Sequence, residues 1–144
     1  MADDTITNFT VATKTVLADI KTKVETVAAL KQVHIIAGDK LDQLLKHAPA
    51  KTMPPFAVIA YMGSTYQPQP RRKYKFSVLV GTRFVTDDEV AQDDCFDLLD
   101  SIIGVIDHEE YDSQLIYKVV AETWQDFTNS GVCIYKIDFV AEDY

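Results

Sequence analysis

The chain has 144 residues, 47% of them hydrophobic and 25% charged. That suits one folded domain over 1–144 with a single sizeable core. Its formal net charge of −8 disfavours nucleic acid or an acidic membrane surface as a primary partner.

The opening Met1-Ala2-Asp3-Asp4 is acidic and lacks an apolar run, so no signal peptide is expected. Asn8 or Thr10 is the expected cap of a first helix reaching about Ala29. Its apolar stripe reads Leu17, Ile20, Val24, Val27 and Leu30, at three- and four-residue steps. Val33 to Ala37 is short and β-branched, closed by Gly38, and reads as a strand. Asp39 then caps a short leucine helix ended by Pro49. Pro54-Pro55 introduces a strand from Phe56 to Met62. Gly63 to Pro70 has no burial pattern and reads as a loop stiffened by two prolines, with Tyr66 as its anchor for contact.

From Arg72 to Phe84 the alternation is clear. Tyr74, Phe76, Val78 and Val80 share the face expected to meet the core. Lys73, Lys75, Ser77, Leu79, Gly81 and Arg83 share the face expected to look outward. Thr86 with Glu89 forms a capping box for a helix running to about Ile106. Ala91, Cys95, Leu98, Ile102 and Ile106 form its buried stripe, widened by Phe96, Leu99 and Ile103. Leu115 to Phe127 and Val132 to Val140 are strands joined by the turn Thr128-Asn129-Ser130-Gly131. The order is α-β-α-β-β-α-β-β. It predicts an α+β domain, with a mainly antiparallel sheet of about five strands and helices packed on one face.

Chemical motifs are scarce. His34, His47 and His108 form no local metal-ligand pair, and His108-Glu109-Glu110 is not H-E-x-x-H. No glycine-rich phosphate loop and no G-x-S-x-G elbow appears. Cys95 and Cys133 fit no C-x-x-C pattern and are expected as buried thiols in a reducing compartment. The expectation is therefore a protein that is not an enzyme, with no catalytic residue, no metal and no cofactor.

Charge patterning is the informative signal. Half of the 22 acidic residues lie between Phe84 and Tyr117, a window without Lys or Arg. Asp93, Asp97 and Asp100 form an acidic ridge along its helix. The densest basic run, Arg71-Arg72-Lys73-Tyr74-Lys75, directly precedes that window, with Arg83 further along the same strand. Two bland readings, and nucleic-acid binding through this strand, compete with an intersubunit contact. The cations could guard an edge strand, or pair with the acidic helix of their own chain. In the intersubunit reading, Arg71, Arg72, Lys73, Lys75 and Arg83 of one copy meet Asp93, Asp97 and Asp100 of the next, a head-to-tail contact able to close a ring.

The whole layout resembles a known family. The amphipathic first helix, Val33-His34-Ile35-Ile36-Ala37-Gly38, the leucine helix ending at Ala48-Pro49-Ala50, and Pro55 to Tyr61 carry the likeness. Tyr74 to Val80, the helix from Asp93 to Ile106, and Ile134 to Phe139 continue it. The pattern is similar to the tail terminator (tail completion) proteins of long-tailed bacteriophages, of the Mu-like type. The resemblance implies a structural α+β subunit of a hexameric ring at the head-proximal end of the virion tail, assembled in the host cytoplasm. Such a ring stops tail-tube elongation and joins the tube to the neck or head-completion protein. Its partners would be further copies of itself, the tail tube protein and the neck protein. DNA would be passing cargo only, and no membrane and no cofactor would be involved. Alternatives are a neck or head–tail connector protein, a monomeric or dimeric adaptor module, and a small enzyme with dispersed residues.

Overall fold

The computed structural model describes residues 11–37, 55–66, 72–83, 89–127 and 132–143. The expected short leucine helix after Asp39 lies outside the described residues, as do Asn8, Thr10 and Thr86 of the expected helix caps.

Helix α1 spans Thr13–Glu25, so the first helix starts later and stops sooner than its periodicity suggested. Ala12 holds the N-cap position and contributes no side-chain hydrogen bond there. Val16, Ile20 and Val24, each four residues apart, are its buried line. Leu17, expected in that line, is only partly buried. Strand β1 is Gln32–Ala37, β2 is Phe56–Tyr66 and β3 is Arg72–Arg83. Helix α2 is Glu89–Ile106. A two-residue strand β4, Glu110–Tyr111, precedes β5, Leu115–Phe127, and β6, Val132–Asp143.

These strands form one sheet in the order β1-β2-β3-β6-β5-β4. It has six strands rather than about five. The extra one, β4, is too short to carry a periodic signal. It pairs with the start of β5, and Asp112 and Ser113 in the turn between them have φ of 48° and 56°. β1 runs parallel to β2, with Gln32 opposite Phe56 and Ala37 opposite Tyr61; every other pairing is antiparallel. Pattern also missed that β3 pairs with the return strand β6, which places β3 inside the sheet. Gly63 to Tyr66, expected as loop, continues β2.

The main core lies between the helices and one face of the sheet. It joins Val16, Ile20 and Val24 of α1 and Leu98, Ile102 and Ile106 of α2 to Ile59, Tyr74, Phe76, Val78, Val80, Tyr117, Ile137 and Phe139. The Phe76 and Phe139 rings stack with centroids 5.4 Å apart, and Tyr117 meets Phe139 edge-on at 6.3 Å. Thus the face of β3 expected to be buried is buried. The other face is only half as expected. Ser77, Leu79 and Gly81 are buried as well, and Leu79 joins Phe56, Val58, Ala60 and Ile134 in a second cluster. Alternation reports one face of a strand at a time, so it cannot reveal a second cluster assembled from three different strands.

Gly81 makes that second cluster possible. A Cβ at position 81 would lie 2.2 Å from the Phe56 ring. Phe56 is fully buried, within the second cluster. Gly81→Ala is expected to destabilise the domain by about 1–3 kcal/mol through overpacking. Urea unfolding measures this; an unchanged midpoint would show that the Phe56 ring is not fixed against the glycine.

Candidate assembly surfaces

The basic run does not stand free as a block. A bulge decides what happens to Arg72. Tyr61 lies opposite Phe76 in the β2–β3 register, but the next pair is Gly63 with Lys75, so Met62 is the extra residue. Gly63 takes φ of 114°, a backbone conformation suited to glycine. The inserted residue puts Ser64 and Tyr66 on the same face as Tyr61, and that face carries Arg72 and Tyr74. Arg72 is half-buried among them. Its Nε donates to Ser64 Oγ at 3.0 Å, and its Nη2 donates to Thr13 Oγ1 at 2.7 Å and Tyr61 Oη at 2.9 Å. The guanidinium lies 4.2 Å from the Tyr74 ring centre and 5.9 Å from those of Tyr61 and Tyr66. Tyr74 Oη donates to the backbone carbonyl of Val11.

Burial works against the Arg72 charge, but the hydrogen bond to Tyr61 and the surrounding tyrosines outweigh it and hold the guanidinium above its ordinary value. Partial burial likewise pushes the Tyr61 phenol up, and the contacts with Ser64 and Arg72 outweigh that and lower it. Arg72 therefore ties the start of α1 to the β2–β3 hairpin.

Lys73 and Lys75 occupy the opposite face, as alternation predicts. Lys73 Nζ lies 3.9 Å from Glu142, which also pairs with Lys118 at 2.7 Å. On the same face Ser77 Oγ donates to Asp138 at 2.6 Å, with Lys136 3.8 Å from that carboxylate. Lys75 is exposed. The edge-guard reading of the run does not describe this arrangement. β3 is an interior strand, so its cations guard no edge. Among the described residues, no ion pair links β3 to α2.

Asp97 and Asp100 are exposed on α2, on the helix side of the sheet. The side chains of Asp93 and Arg83, and the whole of Arg71, lie outside the described residues. Tyr66 is 69% exposed while its ring borders Arg72. Phe96 departs from expectation. Its spacing predicts a place in the buried stripe of α2, but it is 47% exposed, packing edge-on against Tyr135 with ring centres 6.5 Å apart. Trp124 lies opposite Tyr135 in the β5–β6 register and is 53% exposed. Sequence reasoning missed this aromatic cluster. Trp124 reaches the helix side only because the β5 register shifts between Val119 and Ala121.

Among the described residues no three His, Cys, Asp or Glu side chains gather as a metal site. No described helix is long and apolar enough to cross a membrane. Cys95 is buried in the main core. No protein-family model and no curated protein matches the chain.

Two outcomes follow from these contacts. Lysine at position 72 offers no planar fork to serve Ser64, Thr13 and Tyr61 together while lying over Tyr74. Arg72→Lys is expected to lose about 1–2 kcal/mol of stability, read by denaturant titration, and a neutral result would show the node to be decorative. The second concerns Tyr117, whose Oη donates to Asp19 at 2.6 Å. Burial first, and then the Asp19 carboxylate, push its pKa above the ordinary value of 10.0. The neutral phenol thus contributes stability that is complete below about pH 10 and declines as the unfolded chain ionises above it. Tyr117→Phe is expected to be less stable at neutral pH but to lose less stability between about pH 9 and about pH 11. Parallel alkaline profiles for the two proteins would remove this role.

Proposed function

We propose that this chain is a tail terminator subunit of a long-tailed bacteriophage. Copies of it close into a ring on the head-proximal end of the tail tube, halt elongation and present a surface to the neck protein. It acts by binding, without catalysis and without a cofactor. The reading is supported by the resemblance in layout and apolar pattern across the chain. The observation that carries it is the separation of charge. The exposed carboxylates of Asp97 and Asp100 stand on the helix side of the sheet, and Lys75 stands on the other side. No described ion pair connects the two elements within one chain. Unlike surfaces left unsatisfied in one copy suit a head-to-tail neighbour. Arg72 adds little to such a contact, because its donors serve its own chain; among the described residues Lys75 remains the accessible cation on the far side, while exposed Tyr66 stands on the helix side with Arg72.

The expected result is a ring with a central hole in negative-stain images, alone or with tail-tube protein, whose mass falls as salt rises. Virions made without the chain are expected to show overlong tails lacking heads. A strict monomer that ignores tail-tube protein at every concentration would replace this reading with that of an adaptor module. Rings that bind portal but not tube would indicate a connector.

A further inference from the structure

The sheet has two unlike ends, and among the described residues each has an unpaired stretch. β4 covers the outer edge of β5 only at Leu115 and Ile116. The segment before β4 extends that cover slightly. His108 N–H donates to the Tyr117 carbonyl and Tyr117 N–H to the Glu109 carbonyl, both at 2.8 Å. Val119 N–H then donates to Asp107 Oδ1 at 2.9 Å, so a side chain takes the place of a strand. From Val120 to Phe127 β6 pairs with the inner side of β5, and no described strand lies on its outer side. Edges are blunted by lysine and other charges, by proline, by bulges or by cover. This stretch has no lysine or proline; register shifts after Val119 and after Trp124 interrupt it, and it displays Val120, 66% exposed, and Trp124. Its charged residues, Glu122 and Asp126, are acidic, and Asp97 and Asp100 lie on the same side as the Phe96–Tyr135–Trp124 cluster.

The other end of the sheet is β1. Among the described residues its outer edge is also unpaired. Ile35, opposite Ile59, is therefore on the helix side, and it is 40% exposed. Lys31 and His34 are the charged or chargeable residues of this stretch, and it contains no acid.

We propose that in the ring the free edge of β5 from one copy takes the outer edge of β1 from the next, continuing the sheet across subunits, with Ile35 covering Trp124. This inference rests on the ring reading and names the contact that closes it. Strand direction favours it. β1 and β5 run in opposite senses within one sheet, so a neighbour in the same orientation brings its β1 antiparallel to β5. Such a neighbour keeps its helices on the same side, which puts Ile35 and Trp124 on a shared face. Charge selects β1 over a second β5. A β5–β5 contact would set Glu122 and Asp126 of both copies along one seam, whereas β1 brings Lys31 and His34. A β5–β5 contact is also isologous and ends at a dimer, while β5–β1 is head-to-tail and propagates.

Trp124 is the chain's one tryptophan, so the unmodified protein reports on the contact. Its emission is expected to shift to the blue when rings form, as Ile35 and the neighbouring backbone exclude water. Position is tested in a Cys133→Ser background, with Cys95 buried. Ile35→Cys and Trp124→Cys chains are prepared separately and treated with a short bis-maleimide under ring-forming conditions. The mixture is expected to yield a dimer bridged between positions 35 and 124, and neither chain alone should do so. The double variant is expected to yield a ladder ending at the ring's copy number. Rings whose Trp124 emission does not shift and whose positions 35 and 124 do not bridge overturn this contact and leave the ring reading standing, as does a bridge between two copies of position 124. A chain that remains monomeric with tail-tube protein overturns both.

Discussion

The pairing of β3 with β6 fixes both faces of the sheet at once, because each strand carries buried residues on both sides. Phe76 opposite Phe139 and Val78 opposite Ile137 fill the helix side. On the other side Leu79 and Ile134 belong to the second cluster, and Ser77 bonds to Asp138. A slip of one residue would turn all of these to the wrong face. The flanking elements take their positions from this pair: β2 and then β1 on one side, β5 and then β4 on the other. α1 and α2 cover the aromatic side because that is where the large rings stand.

Two of the sheet's three described register shifts give its surface particular contacts. The extra residue at Met62 gathers Tyr61, Ser64 and Tyr66 around Arg72. The register shift after Val119 carries Trp124 to the side of Tyr135 and Phe96. In both cases one inserted residue changes which face a later side chain occupies. The consequences are opposite. The first bulge draws a cation into its own chain and anchors the start of α1. The second leaves an aromatic group without cover at the edge of the sheet.

The five longer strands, the long helix and most of the main core were legible in the sequence. β3 and α2 are the clearest cases, because their apolar periods persist over many residues. β4 was not legible, since two residues cannot express a period. The burial of Leu79 was not either, since it depends on Phe56 and Ile134 arriving from other strands. The candidate surfaces were legible as charge but not as availability. Arg72, Lys73 and Lys75 look alike in sequence, yet one is enclosed by tyrosines and hydroxyls, one shares Glu142, and one is exposed.

The sequence by itself determined the mixed α+β character, the faces of the long elements and the segregation of acid from base. Those properties are local, set by the spacing of side chains along a helix or strand of known pitch. Only the tertiary structure decided the strand order, the parallel β1–β2 pair, the partners of the basic run and the open edge at Trp124. Each of these depends on residues far apart in the chain meeting in a particular register, and side-chain spacing within one segment carries no information about the register of another.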